Sequence, residues 1–118
     1  SHLMWMGIDP VAVIKPYLER IPHAQAKDIQ INAEQRNFYG FPGKAVTRAN
    51  PWDVGWWRYR VPGLGDVDWS RLIDAMYEGG FTGTLSVEHE DPLWGGTPEK
   101  VKIGLKVAFD TLRPLIVD

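Results

Sequence analysis

Residues 66–90 read DVDWSRLIDAMYEGGFTGTLSVEHE, and their pattern decides the fold class. Asp66 or Asp68 can accept hydrogen bonds from the free N–H groups of a first helical turn. Trp69, Leu72, Ile73 and Met76 then recur at spacings of three and four, the stripe of a helix lying on a core. Gly79-Gly80 ends that helix, because glycine tolerates the left-handed backbone of a C-terminal cap. After the turn at Thr82-Gly83 the period changes to two. Thr84 to Glu90 reads as a strand with Leu85, Val87 and His89 on one face and Thr84, Ser86, Glu88 and Glu90 on the other. A helix followed directly by a strand is half of an alternating α/β unit.

The flanks repeat the theme. Downstream, Asp91-Pro92 stops the strand, Trp94-Gly95-Gly96 is a loop, and Thr97-Pro98-Glu99 opens a last helix. Val101, Leu105, Ala108 and Leu112 are its expected apolar positions, and Pro114 closes it. Lys100, Lys102, Lys106 and Arg113 read as its solvated outer face. Upstream, Asp9-Pro10 starts a helix with Val11, Ile14, Tyr17 and Leu18 on one side, shortened or kinked by Pro16. Ile21 to Ile29 is the expected first strand, with His23, Gln25 and Lys27 on one face and Asp28 beside them. Residues 32–65 hold neither period for long and read as a long connection, folded over something by its many aromatic residues.

The order is α, β, long loop, α, β, loop, α, which implies parallel strands joined by helical crossovers. Two parallel strands do not make a self-sufficient sheet, since both faces and both edges need cover. With 118 residues the chain is expected to be one domain or part of one. A hydrophobic share of 44% and a charged share of 24% are those of a globular protein. The net charge of −2 and scattered basic residues argue against nucleic acid as a partner. No apolar run reaches the roughly 20 residues of a membrane span, and the first residues are too short and mixed for a signal peptide. The absence of cysteine fits a cytoplasmic protein.

Ligands of α/β sheets gather at the C-terminal ends of the strands. There stand His23, Gln25, Lys27 and Asp28 on one strand and Glu88, His89 and Glu90 on the other. Carboxylate, amide and imidazole donors suit Mn, Mg, Co or Zn, and a glutamate can also serve as a base. Singly, each of these side chains reads as a solvated strand end; two clusters at equivalent ends favour function. Arg58 and Arg60, after Trp56-Trp57, read equally as a substrate-binding fork with stacking indoles or as a lid whose guanidinium groups pair with local aspartates. The glycines form no phosphate loop, because neither G-x-x-x-x-G-K-[ST] nor G-x-G-x-x-G is present.

Four stretches together resemble the sugar phosphate isomerase/epimerases of the xylose-isomerase-like barrel superfamily. They are Ser1-His2-Leu3 with the following Gly-Ile-Asp-Pro, residues 23–28 (His-Ala-Gln-Ala-Lys-Asp), residues 61–69 (Val-Pro-Gly-Leu-Gly-Asp-Val-Asp-Trp), and residues 85–90 (Leu-Ser-Val-Glu-His-Glu). The resemblance implies the C-terminal portion of a (β/α)8 TIM barrel, a single partial domain over residues 1–118 with its N-terminal strands missing. It implies a divalent metal and a sugar or sugar-phosphate substrate isomerised or epimerised by proton transfer next to a carbonyl. By position, Glu88 takes the place of the last metal ligand and of a catalytic residue. Gln25 stands where the family carries a histidine ligand. His2, Lys27 and either Arg58 or Arg60 fall on the substrate side, and Trp57 is the indole expected to stack on the sugar beside them. Two further ligands have no counterpart in this sequence, so the 118-residue chain is expected to be inactive alone. It is expected to associate with itself or with a missing N-terminal part. The same barrel with lyase or hydratase chemistry on an oxidised sugar, or a non-catalytic fragment that self-associates, is the alternative.

Overall fold

A computed structural model describes residues 1–41 and 55–117. Pro42, Gly43, Pro51 and Trp52 of the glycine- and aromatic-rich stretch lie outside the described residues. The elements in chain order are α1 (His2–Trp5), α2 (Pro10–Ile14), β1 (His23–Ala26), β2 (Asp28–Ile31), α3 (Ala33–Tyr39), β3 (Trp57–Arg60), α4 (Trp69–Glu78), β4 (Thr84–Val87) and α5 (Pro98–Leu112). Short 3-10 turns follow α2 (Lys15–Arg20) and α5 (Arg113–Leu115), each containing the proline expected to end its helix.

The caps explain where the helices begin. Asp9 accepts from Val11 N at 2.9 Å, Asp68 from Arg71 N at 3.0 Å, and Thr97 from Lys100 N at 3.3 Å. Of the two capping candidates for α4, Asp68 is therefore the cap. Asp66 instead receives the N–H of Ile31 at 2.7 Å and ties the turn before α4 to β2.

The α/β alternation holds: β1 and β4 pair in parallel, His23 opposite Thr84, Ala24 opposite Leu85, Gln25 opposite Ser86 and Ala26 opposite Val87. Helix α4 lies between these strands in sequence. Ala26 joins Ile29, Val67, Trp69, Ile73 and Leu112 in the core, with Leu85 and Val87 packed against it. The apolar face of the pair is thus turned to α4 and α5, and Gln25 and Ser86 share the opposite face.

Three expectations are corrected. The segment from Ile21 to Ile29 is not one strand: it breaks at Lys27, and β2 leaves the parallel pair to join β3 in an antiparallel ribbon. The stretch 32–65 is not all connection, since it contains α3 and β3. Asn32 caps α3 by accepting from Gln35 N at 3.0 Å, and the helix ends at Gly40, where φ is +74°. The strand expected from Thr84 to Glu90 ends at Val87, so Glu88, His89 and Glu90 extend from its tip. Two helix faces also shift. Tyr17 and Leu105 are exposed, while the buried positions of α5 are Gly104, Ala108 and Leu112. Gly104 is buried because His89 and Val61 fill the space that a side chain there would need. No helix among the described residues is long and apolar enough to cross a membrane.

Candidate functional site at the ends of the parallel strands

Where β1 stops, Lys27 turns onto the face shared by Gln25 and Ser86 and meets the residues beyond β4. Its Nζ lies 2.9 Å from Oε1 of Glu88 and is also paired with Oε2 of Glu90. The register makes this possible: Glu88 N bonds Ala26 O at 2.9 Å, carrying the parallel pairing one residue past the strand. Glu88 and Glu90 therefore fall on the same side as Lys27, and His89 turns the other way, against Gly104. Nε2 of His89 is buried with no hydrogen-bond partner among the described residues.

The ribbon supplies the third side. Lys27 Nζ sits 3.9 Å from the centre of the Tyr59 ring, over its negative face. Tyr59 Oη lies 3.2 Å from Nε2 of His2. Trp57 meets Tyr59 edge-on, with ring centres 4.9 Å apart, and stacks on Trp5 at 5.4 Å with the planes 3° from parallel. His2, Lys27, Trp57 and Glu88 thus come together. Tyr59, Glu90 and Trp5 complete the cluster; the residue pattern places Glu90 in the strand-end group but gives Tyr59 and Trp5 no role. The alternation of Trp57 and Tyr59 with Arg58 and Arg60 was a legible strand signal for Tyr59.

Burial opposes the charge on Lys27, which is only 5% exposed. The hydrogen bonds and charges of Glu90 and Glu88 outweigh that opposition and hold its pKa above the usual lysine value. At neutral pH it is an ammonium, a donor rather than a nucleophile.

The two arginines belong elsewhere. Arg58 gives its Nε to Oε1 of Gln30 at 2.8 Å, and Arg60 gives Nη1 to the same oxygen at 2.9 Å. Arg60 Nε pairs with Oδ2 of buried Asp91 at 2.8 Å. Asp91 also accepts the N–H groups of Val61, Leu93 and Trp94. Burial pushes its carboxyl upward, but Arg60 and the N–H groups of Val61 and Leu93 prevail and its pKa is lowered. Here the pairing of Arg60 with a local aspartate is what forms.

Asp28, next to Lys27, is a structural hub and fully buried. Its Oδ1 accepts from Ile29 N and Val67 N, its Oδ2 from Gly63 N, Gly65 N and the indole of Trp69. Gly63 reaches it with φ at +95°, and Gly65 comes so close that a side chain there would strike the carboxylate. The proline-glycine stretch 61–69 folds around this one side chain, which fixes the place where β1 gives way to β2.

The described residues do not by themselves make a metal centre. Among them no group of three His, Asp or Glu side chains is close enough to hold an ion. Glu88 and Gln25 lie on one face, but Gln25 is exposed and uncharged, and Glu88 is already bound by an ammonium. A divalent ion about 4 Å from that ammonium would be repelled by about 8 kcal/mol at an effective dielectric constant near 20.

No model of a known protein family matches the chain. Individual proteins do. An inosose dehydratase of Clostridium tetani is 32% identical over 93 residues, covering 78% of this chain and 29% of that protein. An inosose dehydratase of Lacticaseibacillus casei is 30% identical over 96 residues, with the same two shares. The uncharacterized protein YfiH of Bacillus subtilis is 30% identical over 120 residues, covering 98% of this chain and 36% of that one. The chain spans about a third of the length of the curated relatives it matches.

Proposed function

This chain belongs to the sugar isomerase/epimerase-like, xylose-isomerase-like superfamily, and on that premise we propose that it is one domain-sized part of a larger barrel enzyme acting on a polyhydroxylated ketone. The reaction is proton transfer next to the carbonyl of a sugar or cyclitol. The observation that carries this reading is the meeting of Lys27, Glu88 and Glu90 beyond the ends of β1 and β4, beside the Trp5–Trp57–Tyr59 wall. A carboxylate there takes the proton from the carbon beside the carbonyl. The Lys27 ammonium donates to the oxygen on which negative charge then collects. Aromatic faces receive the C–H side of the ring, and His2, next to Tyr59 Oη, reaches a hydroxyl.

Isomerisation, epimerisation and dehydration share that first step. The names of two relatives favour dehydration, in which the neighbouring hydroxyl then leaves as water after taking up a proton. The parallel pair supports the larger barrel: β1 and β4 form a two-stranded sheet, so each leaves an edge unpaired among the described residues. A groove of about 320 Å³ is lined by Ile21, Ala24 and Gln25 at β1 and by Trp69, Leu72 and Met76 of α4. Further strands, from a longer chain or from associated copies, cover these edges. The test is titration of an inosose into the chain, followed by tryptophan fluorescence and by NMR shifts at Lys27, Trp57 and Tyr59, with an inositol as the carbonyl-free control. Saturable changes for the ketone at those three residues are expected. Equal responses to both compounds, or none at millimolar concentration, would refute the reading.

A further inference from the structure

Two carboxylates side by side need a positive partner: a divalent ion, a shared proton or a basic side chain. Between Glu88 and Glu90 that partner is part of the chain. We propose that the Lys27 ammonium is the resident cation of the strand-end cluster and keeps divalent metal ions off Glu88 and Glu90. The proposal rests on the geometry of the cluster and stands apart from the sugar reading.

Both carboxylates already face the ammonium, Glu88 through Oε1 and Glu90 through Oε2. A hard divalent ion would need the same oxygens at about 2.0–2.6 Å, so it would have to displace Nζ. The ammonium is held from a third side by the face of Tyr59, and its side chain is almost wholly buried. Nor are spare acidic ligands at hand among the described residues. The nearby Asp28 is taken up by five donors, and Asp91 by Arg60 and three N–H groups. Gln25, one step back on β1, brings a neutral oxygen that cannot offset a second cation.

The experiment is a Mn²⁺ titration of the chain and of Lys27→Met, read by the EPR signal of the free ion and by paramagnetic broadening of NMR resonances. The unaltered chain is expected to show no saturable site below about 1 mM. With its fold verified from amide dispersion, the Lys27→Met variant is expected to bind at least about a hundredfold more tightly. Broadening should centre on Glu88 and Glu90 and disappear when Glu88→Gln is added. Saturable Mn²⁺ binding at Glu88 in the unaltered chain would overturn the proposal, and so would a folded Lys27→Met that binds no better. Should that variant not fold, the titration of the unaltered chain alone decides, through broadening at Glu88 or its absence.

Discussion

Replacing Asp28 with alanine removes one carboxylate and strands five donors. Three of them, the N–H groups of Ile29 and Val67 and the indole N–H of Trp69, belong to buried residues. The other two, on Gly63 and Gly65, lie in a turn that water can reach. Each buried donor left without a partner costs about 1–3 kcal/mol, so the three together destabilise the chain by about 4 kcal/mol. Asp28→Asn keeps the shape but turns an NH₂ toward N–H groups, and about 2 kcal/mol is expected. The assay is urea unfolding followed by tryptophan fluorescence. With a slope of about 1.5 kcal/mol/M, the alanine variant's midpoint falls by about 2.5 M and the asparagine variant's by about half of that. An alanine variant within about 1 kcal/mol of the parent would refute the hub assignment.

Two further outcomes follow from named contacts. Gly104→Ala gains about 1 kcal/mol of helix propensity but drives a methyl group into His89 and Val61; net destabilisation of about 1–2 kcal/mol is expected from thermal unfolding. Asp91 has a lowered pKa in the folded chain, so on acidification the unfolded chain takes up its proton first. Its contribution is therefore complete at neutral pH and is lost as pH falls below about 4 toward the folded pKa. Asp91→Asn should flatten the fall of the urea midpoint over that range, and an unchanged slope would contradict the assignment.

How much of this was legible follows from where the signals lie. Helix α4 could be read because its stripe, its aspartate cap and its glycine end agree, and all are local. The parallel pairing of β1 with β4 followed from the helix between them and from chain-crossover rules. The ribbon was harder. The alternation of Trp57 and Tyr59 with Arg58 and Arg60 is the period of a strand, but glycines and prolines around it suggested a loop. Helix α3 buries none of its residues, so no apolar stripe marks it, and the stretch reads as connection. The inward turn of Asp28 could not be read from its own neighbourhood, because the donors that satisfy it lie 35 to 41 residues further on, apart from the N–H of Ile29. At the site, Glu88, Lys27 and His2 were legible through motif position, and Trp57 through the aromatic stretch before Arg58. Glu90 and Tyr59 become partners of Lys27 only once the strands have paired.

The central claim is that parallel pairing of β1 and β4 brings Lys27 under Tyr59 and between Glu88 and Glu90. A NOESY spectrum of the isotopically labelled chain tests it directly. Upfield-shifted Lys27 ε-methylene protons with cross-peaks to the Tyr59 ring, together with interstrand contacts in the Ala24–Leu85 register, are predicted. Lys27 signals at random-coil positions with no cross-peak to Tyr59, or interstrand contacts of an antiparallel pair, would contradict it.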